Sequence, residues 1–566
     1  MTSSRPEKTS PSLSRIPSSS RTETETSGLL RSAGVVGFGV MTSRVLGLVR
    51  EMALAYLFKA SAGLDAFYAA FRIPNLLRDM FGEGALSKAF VSTFTEVREK
   101  EGDEAANRLA NQVLNAVLVV VGILTLLGMA FAEPIVELMF FGKGFDAPLP
   151  AGEGFGFESK RELTIYLTRI MFPFIPLVSL AALVMGYLNA RRKFFVPAMA
   201  SALFNIGSLA VGVAGYFLAP WFGQHPTVGM AVGVVAGGAL QLLWQLPAFK
   251  KEGFCYQPIL SFRDPKLQNV IRVFGPGALA AATVQVNVFI NSIFASMGSG
   301  WLSWINQAFR LVHLPVGLIG VALSVATLPA LSRAAAANDK DGFKEMFSFA
   351  SRLVILFTVP ATVGLIVLAT PIVRLVFERG QFRPYDTQQV AGALMCFSLG
   401  LIGYASVKIV TDGFYALQDM KAPLIVSVLG MITNAGLNYL FISHFGMDHR
   451  GLALATACTI TLSFAILWLL LRHRSGLAGL GGKSILGLTL KMLVASAVMG
   501  MAVKWTSETI DSWLGHASTM ARIVQVGASI FVAFVVLYVL CKILRVRELE
   551  QAKRALKPVK SSMEVT

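Results

Sequence analysis

Apolar runs of about 20 residues recur from one end of this 566-residue chain to the other, and each is long enough to cross the ~30 Å hydrocarbon core of a bilayer as an α-helix. The bilayer is therefore the solvent in which the chain folds. Its composition agrees: 54% of residues are hydrophobic, 15% are charged and the mean hydropathy is +0.62. The pattern predicts an all-α integral membrane protein with about 14 transmembrane helices, the first two near 30–57 and 65–94.

Basic residues between the runs set an expected orientation, since short cytoplasmic loops collect Lys and Arg. Arg98, Lys100, Arg108, Arg191, Arg192, Lys193, Lys250, Lys251, Arg263 and Lys266 fall in alternate loops, and Arg472, Arg474 and Lys483 continue the series. Both termini are then cytoplasmic. The net charge of +17 reads as this topology signal and as attraction to anionic headgroups, not as a nucleic-acid interface. Residues 1–28 form a Ser/Thr/Arg-rich tail without an apolar core, so no cleavable signal is expected there.

An internal repeat divides the chain into halves. The segment AAFRIPNLLRDMFGEGALSKAF at 69–90 aligns with QAFRLVHLPVGLIGVALSVATL at 307–328, matching Phe71-Arg72 to Phe309-Arg310 and Gly82 to Gly320. Six spans separate the two copies, so the halves share one orientation and are related by a pseudo-two-fold along the membrane normal. The expected organisation is a disordered cytoplasmic tail (1–28), a six-helix lobe (29–250), a second six-helix lobe (251–475), two extra helices (476–545) and a cytoplasmic tail (546–566), with a cavity between the lobes.

Charge is concentrated where it is most costly. Arg44, Arg50, Glu51, Asp65, Arg72, Arg78, Asp79 and Glu83 lie in the first two spans, and each ionisable side chain at bilayer depth costs roughly 2.5–3.5 kcal/mol on insertion scales. Such a cluster predicts a water-filled, substrate-handling cavity. At 100° per residue, Asp65, Arg72, Asp79 and Glu83 fall within about 40° of one line, Arg78 points to one side of it, and Arg44 shares a face with Glu51. On the eighth span Asn306, Arg310 and His313 form the equivalent stripe, with His313 read as a packed polar residue. Arginine exceeds carboxylate, and a planar guanidinium suits bidentate phosphate binding, so the expected ligand is an anion of the pyrophosphate kind, held by Arg44, Arg50, Arg72, Arg78 and Arg310. Asp65 and Glu83 are expected to orient those arginines.

Other chemistry lacks its residues. No phosphate-cradling loop ending in Lys-Ser/Thr is present, and no nucleophile triad or metal-ligand spacing, so no catalytic residue, metal or cofactor is assigned. Cys255, Cys396, Cys458 and Cys541 are scattered, which implies neither a disulfide framework nor a zinc site.

SRVLGLVRE at 43–51, DAFYAAFRIPNLLRDMFGEGALSKAF at 65–90 and FRLVHLPVGLIGVALSVATLPALSR at 309–333 resemble the MurJ (MviN) family of lipid II flippases, within the multidrug/oligosaccharidyl-lipid/polysaccharide exporter superfamily. The resemblance covers the chain after residue 28. It implies a fourteen-helix protein of the bacterial inner membrane that moves lipid II, an undecaprenyl-pyrophosphoryl disaccharide-pentapeptide, from the cytoplasmic to the periplasmic leaflet for peptidoglycan synthesis by alternating access. By the same resemblance Arg44, Arg50, Arg78 and Arg310 are cavity arginines, Asp65 and Glu83 are cavity carboxylates, and the last two helices form a groove for the lipid tail. Position 72 carries Arg where the family pattern has Lys, and Asp79 departs from a basic residue. Energy is expected from the membrane potential or a monovalent cation, and membrane lipids and cell-wall synthesis enzymes are the further partners. The competing readings are a flippase for another polyprenyl-pyrophosphate oligosaccharide and a cation-coupled drug exporter; the arginine excess speaks against the exporter.

Overall fold

A computed structural model of the chain describes residues 39, 41–81, 85–149, 154–474, 482–515, 518–546 and 548. The expected tails, apart from 546 and 548, lie outside them, as does Glu83. The described regular structure is helical, with one isolated bridge between Pro148 and Ser159. The first run of helices is α1 (41–58), α2 (Ala62–Phe81), α3 (Ala85–Glu101), α4 (Asp103–Ala130), α5 (Ala132–Met139), α6 (Lys143–Asp146), α7 (Lys160–Met171), α8 (Phe174–Ala190), α9 (Phe195–Leu218), α10 (Pro226–Leu243) and α11 (Leu246–Lys251). The second is α12 (Pro265–Ala295), α13 (Trp301–Pro315), α14 (Ala322–Ala336), α15 (Lys340–Val367), α16 (Ala369–Phe377), α17 (Pro384–Ser398), α18 (Leu401–Ala416), α19 (Lys421–Tyr439) and α20 (His449–Arg474), followed by α21 (Gly482–Leu514) and α22 (Thr519–Ile543).

Among the described residues nine helical stretches are long and apolar enough to cross a membrane, or ten when α17 and α18, bent by 41°, count as one span. The other expected spans coincide with α1, α2–α3, α12 and α13–α14. These carry ionisable residues, breaks, or residues outside the described ones. The second span, expected over 65–94, is helical in its described parts, Ala62–Phe81 and Ala85–Glu101, and residues 82–84 between them lie outside the described ones.

Close packing stiffens the first half. A Cβ on Gly229 would overlap the Gly215 backbone, and one on Gly237 would sit 2.6 Å from Phe204 O, so α9 and α10 lie backbone against backbone. The largest buried apolar cluster is drawn almost wholly from residues between Leu54 and Leu302, and a second from residues between Trp304 and Leu401. Helices α21 and α22 attach to α15 and α16 through Leu353, Val359, Leu368, Leu488, Met492 and Val503, and through Arg522, whose Nη1 donates to Glu378 O at 2.6 Å. Their outer faces leave Phe531 and Phe534 69% exposed, as surface that meets lipid requires.

The segment between α11 and α12 is strapped to α4 by a ladder of amides one turn apart. Asn107 Nδ2 donates to Gly253 O (3.2 Å), Asn111 Nδ2 to Cys255 O (2.9 Å), and Asn115 Nδ2 to both Gln257 O and Ile259 O (2.9 Å each), while Gln257 N donates to Asn111 Oδ1 at 2.8 Å. Gln112 Nε2 then donates to Asp264 Oδ2 at 2.9 Å, and Asp264 Oδ1 caps α12 by accepting from Lys266 N at 2.9 Å. Partial burial raises the Asp264 carboxyl, but these hydrogen bonds outweigh it and hold the group below its ordinary value. The first helix of the second half thus starts from a foot fixed to the first.

The part of the α2 stripe that carries Asp65 and Arg72 is a seam with α13 rather than a cavity wall. Asp65, fully buried, accepts from Gly300 N (2.6 Å), Ser303 N (3.0 Å) and Ser303 Oγ (2.6 Å), and pairs with Lys160 Nζ at 3.0 Å. Gly300 caps α13 with φ +80°, a conformation that favours glycine and leaves its N–H aimed at the carboxylate. Two turns on, Arg72 Nη2 donates to Asn306 Oδ1 at 3.1 Å. Asp65 is therefore not a cavity carboxylate: the cationic helix start and Lys160 give it a full set of partners away from the arginines. Lys160 itself is 1% exposed and stands 4.7 Å over the Phe145 ring, so it belongs to the core and not to a solvated loop. Removing one member of a buried ion pair costs about 3–5 kcal/mol because the other charge is stranded. Asp65→Asn is expected to lower the Tm of the purified protein markedly, and Asp65→Asn/Lys160→Met to recover a large part of the loss; a single substitution without thermal effect would show that the pair does not hold the seam.

Candidate functional site: an arginine-lined cavity between the halves

A cavity of about 720 Å³ lies between the halves. Its walls come from the first turns of α1 and α9 and the last turns of α2, α8, α10 and α13, so all of it sits toward the end of the bundle where α1 begins. At the opposite end the seam through Asp65 closes the halves together, and Gln381 N donates to Tyr56 O at 3.1 Å.

Four of the five expected ligand arginines line this cavity: Arg44 and Arg50 from α1, Arg78 from α2 and Arg310 from α13. Arg72 does not, because its guanidinium is turned to Asn306 in the seam. Arg78 was the one basic residue on α2 that the helical periodicity put beside the stripe, and that offset is what carries it onto the wall.

Local structure fixes where each guanidinium points. Asn205 of α9 donates to Ser43 O (3.1 Å) and Ser43 Oγ (3.3 Å), locking the start of α1 against the α9–α10 hairpin. Arg44 then crosses to the second half, where Nη1 meets His313 O at 3.5 Å and the guanidinium packs on Gly317; a Cβ there would overlap it. Gly317 belongs to a π-helical segment, Val316–Val321, that follows Pro315 and interrupts α13–α14. Pro315 has no N–H for the carbonyl four residues back, and His313 O accepts from Val316 N while lying against Arg44. His313 also lines the cavity, its ring tilted 40° against Phe309 with centroids 3.9 Å apart and its Nδ1 3.1 Å from Phe309 O.

The carboxylate that organises these arginines is Glu51, which the sequence placed on the Arg44 face without giving it a role at the site. It is 1% exposed, accepts hydrogen bonds from Tyr68 Oη at 2.5 Å and Arg50 Nη2 at 3.3 Å, and forms an ion pair with Arg310 Nη2 at 3.0 Å. Glu51 therefore ties α1 to α13 across the two halves. Arg50, 7% exposed, is further held between the Phe71 and Phe204 rings at 5.9 and 5.5 Å, and its Nε has no acceptor among the described residues. Arg310 remains 46% exposed at its side chain. Among the described residues one carboxylate thus faces guanidinium groups that outnumber it. An anion with several oxygens, able to accept forked hydrogen bonds, is the ligand such a site stabilises most.

The family profile described as Lipid II flippase MurJ matches residues 54–525. A probable lipid II flippase MurJ of Vibrio cholerae is 33% identical over 516 residues, covering 90% of this chain and 96% of the relative. The lipid II flippase MurJ of Burkholderia cenocepacia is also 33% identical, with the same coverage. Among solved structures, lipid II flippase MurJ in an inward closed conformation superposes with a TM-score of 0.71 at 25% identity, over 90% of this chain and 99% of that one. An inward-facing multidrug transporter of the MATE family, in the MOP superfamily, has a TM-score of 0.63 at 15% identity, over 78% of this chain and 96% of that one, which shows a shared fold. The chain belongs to the MurJ family of lipid II flippases.

Proposed function

We propose that this chain flips lipid II across the bacterial inner membrane by alternating access, with both termini in the cytoplasm and the cavity opening to that side. The observation that carries the reading is the convergence of Arg44, Arg50, Arg78 and Arg310 on one cavity, with Glu51 shared by Arg50 and Arg310. The pyrophosphate enters between the guanidinium groups while the polyprenyl tail stays in lipid. A cationic drug would meet repulsion there.

Binding shifts a conformational equilibrium only through differential affinity. Glu51 supplies the means: it bridges Arg50 and Arg310 in this state, so a pyrophosphate that takes Arg310 competes with the tie between α1 and α13. The seam through Asp65 and Ser303, by contrast, lies on the far side of the protein and must part for outward release. Moving an anionic headgroup from a negative cytoplasm to the periplasm gains about 2.3 kcal/mol per charge per 100 mV, so the membrane potential favours the direction.

In a bacterium depleted of its own flippase, expression of this chain is expected to restore cleavage of lipid II by an externally added lipid II-cleaving toxin. Arg310→Ala, which removes charge-assisted bonds worth roughly 1.5–3 kcal/mol, should lower that cleavage at least tenfold at normal membrane levels. Full cleavage with both Arg78→Ala and Arg310→Ala would contradict the reading. Glu51→Gln leaves an acceptor for Tyr68 but removes the competing charge; the purified variant is expected to bind inorganic pyrophosphate more tightly than the wild type in calorimetry while flipping more slowly, and weaker binding would exclude the competition.

A further inference from the structure

The cavity's polar side chains divide into two groups by their hydrogen bonds. One group is committed within the protein. Asn205 donates to Ser43 and to Ser201 O at 3.1 Å, Arg310 and Arg50 hold Glu51, and Arg44 meets His313 O. Gln245, one turn beyond the wall and fully buried, donates to Ala181 O (3.2 Å) and Gln241 O (3.0 Å). The other group is three amides that line the cavity, Gln241 of α10, Asn75 of α2 and Asn189 of α8, whose side chains form no hydrogen bond with any described residue. Each carries two N–H donors and a carbonyl acceptor.

Gln241 is only 6% exposed, and its side chain reaches solvent only through the cavity that it lines. A wall that keeps three such groups facing the cavity holds them for what occupies it. None carries charge, so none adds to the electrostatic attraction that the arginines supply. Their balanced donors and acceptors match amides and hydroxyls. Their placement is equally specific. Asn75 precedes Arg78 by three residues on α2 and shares its face, which sets a neutral amide one turn from a cavity arginine. All three belong to the first half, whereas Arg310 stands across the cavity on α13.

We infer that Gln241, Asn75 and Asn189 form a subsite for the neutral, amide-bearing sugar joined to the pyrophosphate, so that the arginines hold the charge and the amides read the saccharide. This rests on the proposed lipid II function and extends it to which headgroups are accepted.

Affinity of the purified full-length protein for two probes tests it: lipid II, and undecaprenyl pyrophosphate, which keeps the pyrophosphate, with one more ionisable oxygen, and the tail but lacks the sugars and the peptide. Gln241→Leu is expected to weaken lipid II binding about tenfold, the value of a lost neutral hydrogen bond in a dry site, and to leave undecaprenyl pyrophosphate binding within about twofold. Arg310→Ala should weaken both. Asn189→Leu, less buried, gives the same comparison if Gln241→Leu does not fold. Equal losses for the two probes, or no loss for either, would overturn the subsite. Wild-type protein that binds neither probe would overturn the functional reading together with the subsite.

Discussion

The buried carboxylate of Glu51, shared by Arg50, Arg310 and the Tyr68 hydroxyl, is the interaction on which the cavity depends. Arginines at bilayer depth repel one another and lose hydration, and only a counter-charge, aromatic faces or water makes their accumulation tolerable. Among the described residues one carboxylate, Glu51, holds two guanidinium groups in place, and Phe71 and Phe204 flank Arg50. Because α1 supplies Glu51 and α13 supplies Arg310, the same contact positions the ligand groups and couples the halves.

The surrounding fold separates what should stay rigid from what can part. The α9–α10 hairpin, packed through glycine, and the amide ladder from α4 make the first half and the foot of α12 one unit. The seam of α2 with α13 is instead built from a few polar contacts, Asp65 with Gly300 and Ser303 and Arg72 with Asn306. Polar contacts exchange for water when a seam opens, at a smaller loss than buried apolar area exposed to it. The breaks at Pro315 and the π-helical Val316–Val321 lie next to Arg44, on the wall opposite the rigid hairpin.

Much of this was legible in the residues. Continuous apolar runs fixed the solvent, the repeat of Phe71-Arg72 in Phe309-Arg310 pointed to paired halves, and Arg44, Arg50, Arg78 and Arg310 follow from an excess of arginine at depth together with the family motifs. Periodicity failed where it had to choose a partner. It gives the face of α2 that carries Asp65 and Arg72 but not what that face meets, and the buried Lys160, brought from a distant helix start, is what takes Asp65 out of the cavity. Glu51 was visible on the Arg44 face; its role was not, because Arg310 reaches it only after the halves have packed. The amides escaped for a plainer reason: Asn and Gln carry no charge, and only their lack of partners in the fold distinguishes Gln241 from Gln245.

A structure of this protein with lipid II bound would test the central claim most directly. The account predicts the two phosphates within about 3 Å of guanidinium nitrogens of Arg44, Arg50, Arg78 and Arg310, with Arg310 drawn away from Glu51. Phosphates seated elsewhere, with the Glu51–Arg310 pair intact and the cavity arginines untouched, would contradict it.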